Sequence, residues 1–224
     1  MDEPSRASLS PGLRRAAVLG VVLAGAGAIL CALIVILEDA FIYFPSRALE
    51  IAPADLGLAA DELHPVAADG TRLHGWWVRG KGERALLFFH GNAGNISHRL
   101  ERAGRIVAAH GLDVVLVDYR GYGRSEGKPS EAGLYADGLA VYDAARERGF
   151  PPERMVVLGE SLGAAVAVEV ARQRPCGALI LEMPFRSIAE MARRHYPIVP
   201  RALIATRFDN EAKIGSLAIP TLFV

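Results

Sequence analysis

MVVLGESLGAAVAVEVARQ, residues 155–173, is the stretch on which the fold turns. Met155–Leu158 is a short apolar run of strand type, and Leu162–Gln173 reads as a helix rich in Ala and Val. Between them lies Gly159-Glu160-Ser161-Leu162-Gly163, a G-x-S-x-G pentapeptide. A nucleophile elbow needs this strand–turn–helix placement, because the sharp turn lifts the serine hydroxyl above the sheet. Gly159 and Gly163 leave room where backbone must pass close by, and the positive end of the following helix favours charge developing at Ser161. Ser161 is therefore the candidate nucleophile. The plainer alternative is a glycine-rich helix start carrying an incidental serine, and the strand before it argues for the elbow.

Outward from this stretch the pattern repeats. ALLFF (85–89), DVVLVD (113–118), ALIL (178–181) and PTLFV (220–224) are continuous apolar runs of strand length. Residues 95–110 and 130–148 carry helical periodicity. Residues 62–67 and 71–78 flank Ala68-Asp69-Gly70 and read as a hairpin. Continuous apolar strands alternating with helices predict an α/β fold, with a mostly parallel sheet covered on both faces. Residues 184–210 break the rhythm with prolines and mixed polarity.

Two more segments carry chemistry. His90-Gly91-Asn92-Ala93-Gly94-Asn95 follows ALLFF directly. Acyl transfer needs two backbone N–H donors aimed at a developing oxyanion. With an elbow at Ser161, these donors come from Leu162 and from the loop after the earlier strand, at Asn92 or Ala93. His90 and Gly91 are expected to brace that loop rather than to catalyse. The second segment runs from Asp118 to Ser130. Its Gly127-Lys128 suggests a phosphate loop, but Pro129 and Tyr122 occupy positions that such a loop reserves for Ser/Thr and Gly. A structured turn is expected instead, with Asp118 accepting backbone N–H groups.

Taken in order, FHGNAGN, DYRGYGRSEG, GESLG and LEMPFRS resemble the α/β-hydrolase superfamily. They are most similar to its serine aminopeptidase-like branch and to the membrane-anchored hydrolases of the bud-emergence type, which IYFPSR (42–47) also resembles. The resemblance implies a Ser-His-Asp/Glu triad, no metal or other cofactor, and hydrolysis of an ester, thioester or amide. In that fold the triad acid follows a late strand and the histidine comes later still. Here Glu182 is a weak candidate acid at the end of ALIL, Asp209 is a comparable one, and His195 falls in residues 184–210, the stretch where such folds carry a lid. The expectation is a hydrolase domain incomplete at its C-terminus, lacking acid and base and inactive as given. A non-catalytic pseudohydrolase that binds a lipid or protein partner is the alternative.

Composition bounds the remainder. The chain has 224 residues, 25 basic and 25 acidic side chains and 2 cysteines. Zero net charge removes the electrostatic case for nucleic-acid binding, and two cysteines cannot build a disulfide framework. Residues 16–37 carry no charge; as a helix they measure about 33 Å, against a hydrocarbon core of roughly 30 Å. A transmembrane anchor is expected, with a signal peptide or a buried helix as alternatives. Arg6, Arg14 and Arg15 precede the run, which predicts a cytoplasmic segment 1–15 and a hydrolase domain, 41–224, on the far side. Arg186, Arg193, Arg194, Arg201 and Arg207 make the lid basic. This predicts either a solvated face or one turned towards anionic headgroups. The expected partners are the bilayer and an acylated or other small substrate.

Overall fold

The computed structural model describes residues 10–197 and 199–224. They form two compact units, one reaching to Glu38 and one spanning Asp39–Val224. The first consists of most of helix α1 (Pro11–Ile42), 32 residues long. Its most apolar window has a mean hydropathy of 2.8 and contains no buried residue. Length and composition suffice to cross a membrane. The helix continues past the uncharged run at both ends.

In the second unit the elements follow in chain order as β1 (Phe44–Pro45), β2 (Ala60–Leu63), β3 (His74–Val78), β4 (Ala85–Phe89), β5 (Ala93–Gly94), α2 (Leu100–His110) and β6 (Asp113–Asp118). Then come α3 (Glu131–Glu147), β7 (Met155–Glu160), α4 (Leu162–Gln173), β8 (Ala178–Glu182), α5 (Ile188–His195), α6 (Asn210–Ile214) and β9 (Thr221–Phe223). Among the described residues, seven strands form one sheet in the order β2-β3-β6-β4-β7-β8-β9. The β2–β3 and β3–β6 pairs are antiparallel, and every pair from β6 to β9 is parallel.

Alternation along the strands sorts the core into two layers. Leu87, Phe89, Val115, Val117 and Val157 pack with Leu134 and Val141 of α3 and Val166 of α4. Leu86, Phe88, Val114, Leu116 and Leu158 pack with Leu100 and Ala103 of α2. β4, and β6 between its terminal aspartates, are apolar on both faces because each face is covered, and each fully buried Val or Leu contributes about 1.5–3 kcal/mol.

The hairpin forms, but its regular pairing stops at Leu63 and Gly75, leaving a single bridge between Val66 and Arg72 near the turn. The segment after β5 opens as a 3-10 turn, Ile96–Arg99, before α2 begins. There the Asn95 side chain accepts from Ser97 N–H at 2.9 Å. Within residues 184–210, Phe208 is fully buried at φ 39°, and its ring stands edge-on to Tyr43 and Tyr135.

Candidate active site

Ser161 sits between β7 and α4 at φ 51° and ψ −110°. A non-glycine residue with positive φ is strained and persists only where its surroundings fix it. Here the Ser161 N–H donates to the Glu182 carbonyl, and the Ser161 carbonyl accepts from Ala164 N–H, both at 2.9 Å. The turn has no space for side chains at its glycines. A Cβ at Gly159 would stand 2.5 Å from Ala164 Cα, and one at Gly163 would stand 2.6 Å from the His90 carbonyl and closer still to that of Phe89.

Leu162 is buried as the first residue of α4. Neither its N–H nor that of Asn92 has an acceptor among the described residues, and both remain available. Asn92 itself is firmly held. Its carbonyl accepts from Phe44 N–H at 2.9 Å and from the Tyr122 hydroxyl at 2.8 Å, while its side-chain amide donates to the Ile42 carbonyl at 3.0 Å. Sequence reasoning missed Ile42, Phe44 and Tyr122 as supports; the only signals were the IYFPSR likeness and a tyrosine between two glycines.

His90 has no exposed surface. Its Nδ1 lies 2.8 Å from the Gly91 carbonyl, its ring packs 4.4 Å from Tyr119, and the Tyr119 hydroxyl donates to its carbonyl at 2.9 Å. Burial lowers its pKa, with Asp118 opposing in part, which favours neutral imidazole. Gly91 runs close to Glu160, whose Oε1 would meet a Cβ there at 3.3 Å. Asp118 is fully buried and accepts from Ile96 N–H at 2.9 Å, and its main-chain carbonyl accepts from Ser125 Oγ at 2.6 Å. It thus organises both the turn that follows it and the start of the Ile96 segment.

The weaker candidates lie elsewhere. Glu182 projects to the α2 side of the sheet and forms a bidentate pair with Arg102, one bond being 2.7 Å and the other joining Arg102 Nη2 to Glu182 Oε1. Neighbouring Glu160 accepts from Arg99 at 3.0 Å. Asp209 caps α6 by accepting from Ala212 N–H at 3.1 Å. His195 is exposed at the end of α5. The Ser161 hydroxyl hydrogen-bonds to none of these, nor to any other side chain among the described residues. No group of three or more His, Cys, Asp or Glu among those residues is placed to hold a metal.

A mostly parallel sheet with helices on both faces and an elbow serine after a central strand define an α/β-hydrolase fold. A family model described as serine aminopeptidase, S33, matches residues 80–220, and the chain belongs to that family of hydrolases. It is 42% identical over 190 residues to an uncharacterised protein of Mycobacterium tuberculosis, covering 82% of this chain and 66% of that one. It is 38% identical over 184 residues to the alpha/beta hydrolase domain-containing protein WAV2 of Arabidopsis thaliana, covering 77% and 58%. It is 42% identical over 129 residues to protein bem46 of Schizosaccharomyces pombe, covering 56% and 42%. The chain thus spans about two thirds or less of these relatives' lengths. Among solved structures, an alpha-beta hydrolase from Vibrio vulnificus superposes with a TM-score of 0.67 at 23% identity, covering 100% of this chain and 80% of that one. An esterase from Pyrococcus furiosus gives 0.65 at 19%, covering 81% and 76%.

Proposed function

We propose that the protein is a membrane-anchored serine hydrolase that cleaves an acyl ester, thioester or amide through an acyl-enzyme on Ser161. The observation that carries this reading is the strained elbow at Ser161, with an N–H of α4 free beside it. In this mechanism a histidine takes the Ser161 proton as the oxygen attacks the acyl carbonyl. The N–H groups of Leu162 and Asn92 hold the resulting oxyanion, the leaving group departs with the proton, and water then releases the acyl group. An unactivated serine hydroxyl is a weak nucleophile, so the histidine and its acid partner are required.

The test is labelling of the protein, expressed from its complete reading frame, with a fluorophosphonate probe. Labelling is expected, and Ser161→Ala should abolish it while leaving the unfolding midpoint within a few degrees. A wild-type protein that stays unlabelled overturns the reading in favour of a pseudohydrolase that uses the site only to bind. Anchoring by α1, with the N-terminus cytoplasmic and the basic lid on the bilayer, rests on the charge flanks and on composition. The protein should stay with membranes through alkaline carbonate extraction. Removing Arg194 and Arg201 should weaken binding of the hydrolase unit to vesicles containing phosphatidylglycerol. Release by carbonate, or binding indifferent to anionic lipid, would count against each in turn.

A further inference from the structure

The segment that continues α1 is bonded directly to the loop bearing Asn92. β1 and β5 run parallel, with Phe44 opposite Ala93 and Pro45 opposite Gly94. Phe44 N–H donates to the Asn92 carbonyl at 2.9 Å and Ser46 N–H to the Gly94 carbonyl at 3.0 Å. Three side-chain bonds return. Asn92 Nδ2 donates to the carbonyl of Ile42 at 3.0 Å, and Asn95 Nδ2 to those of Ser46 at 3.2 Å and Ala48 at 2.5 Å. The segment is fixed on its far flank as well. Gly123 N–H donates to the Ser46 carbonyl at 2.9 Å, and Arg47 Nη1 to the Ser125 carbonyl at 2.5 Å.

Peptide geometry shows what this achieves. The Asn92 N–H shares a rigid plane with the Gly91 carbonyl, and the Asn92 carbonyl belongs to the next plane. The first plane is held from inside the fold, where His90 Nδ1 meets the Gly91 carbonyl at 2.8 Å. The second is held from outside, by Phe44 N–H and the Tyr122 hydroxyl. With both planes and the side chain tied, the direction of the Asn92 N–H is determined. An oxyanion donor acts through such prior alignment, so that nothing must reorganise as charge develops.

We propose that Ile42–Ser46 is a positioning strap for the oxyanion site, with the main-chain N–H of Phe44 as its central group. It rests on the assignment of the Asn92 N–H as an oxyanion donor. Catalysis is then tied to the residues that emerge from the apolar helix, since Ile42, which accepts from the Asn92 amide, is also the last residue of α1. The strap adds nothing to substrate binding; it affects the acyl-transfer step alone.

Phe44→Pro removes the central N–H while leaving the chain extended, as the adjoining Pro45 already requires of position 44. Phe44→Ala keeps the N–H and removes only a ring that is 51% exposed. In the full-length protein, with p-nitrophenyl butyrate as probe, Phe44→Pro should lower kcat by about 10- to 100-fold with KM within about twofold. Phe44→Ala should restore kcat to within about threefold of wild type, because the donor is back in place. Amide hydrogen exchange at Gly94, which pairs with Pro45, should accelerate in the proline variant and not in the alanine variant, with β7 protected in both. An unchanged kcat in Phe44→Pro, or a raised KM at constant kcat, overturns the strap. If β7 also loses protection, the proline variant has misfolded and Asn92→Leu decides, since it keeps the main-chain N–H and loses the bond to the Ile42 carbonyl. It should lower kcat by at least about threefold, and a wild-type kcat there overturns the proposal. If no Ser161-dependent turnover exists in the wild type, the hydrolase reading fails, and the exchange comparison still decides whether the strap orders the loop.

Discussion

A methyl group at position 163 would enter a space already filled by the Phe89 and His90 carbonyls. Those atoms are main chain at the end of a central strand, so they cannot rotate away as a side-chain tip could. Gly163→Ala should therefore destabilise the domain by about 1–3 kcal/mol, seen as a lower urea midpoint with unchanged slope. If the variant unfolds at the wild-type midpoint, the elbow is looser than this packing implies. The elbow was legible in the sequence because its requirements are local: a strand, two glycines and a helix within about twenty residues. The fate of Glu182 was not. Its partner Arg102 is 80 positions away on α2, and no local pattern reports a contact across the sheet. His90 lies between these cases. Its bracing role followed from its place before the Asn92 loop, whereas its ring contacts with Tyr119 and Tyr122 required the fold.

Among the elements, α4 and α6 are joined by charge as well as by packing. Glu169 of α4 has a nearly buried side chain paired with Lys213 of α6 at 2.7 Å and with Arg172 at 2.5 Å. Burial alone would raise its pKa. Hydrogen bonds from Arg172, Lys213 and Gln173 outweigh burial and hold it at about 2, below the ordinary 4.5. A carboxylate with a depressed folded-state pKa stabilises fully above its unfolded pKa, and that stabilisation fades as pH falls through the folded value. The window is thus about pH 4.5 down to about 2. Across it wild type should lose on the order of 2 kcal/mol that Glu169→Gln does not lose, measured by urea unfolding at stepped pH. Parallel pH profiles for the two proteins would show that the pair contributes nothing.

At this scale the long apolar strands and α4 were readable end to end, since burial on both faces writes itself as uninterrupted Val and Leu. β1 and β5 were not. Two-residue strands carry no periodicity, and their pairing joins positions about 50 apart. The 3-10 turn before α2 was likewise hidden, because it depends on the Asn95 side chain capping it.

Across the whole molecule, an apolar helix and a hydrolase unit meet in one continuous stretch of chain. Its last helical residue already bonds to the candidate oxyanion loop. Composition announced the helix, and alternating strands and helices announced the fold. Their connection was invisible because its hydrogen bonds from Asn92 and Asn95 end on main-chain carbonyls about 50 positions away, which side-chain patterns do not record. Asn95 within that connection bears on how sidedness can be measured. Asn95-Ile96-Ser97 spells an acceptor signal for N-linked glycans, yet the Asn95 side chain is fully buried with its amide committed to Ser46 and Ala48. A sugar on that nitrogen would remove its donors and wedge apart the strap and the loop. Topology mapping that relied on the native sequon would therefore disturb the very loop it reports on, and a reporter site is better engineered into an exposed turn.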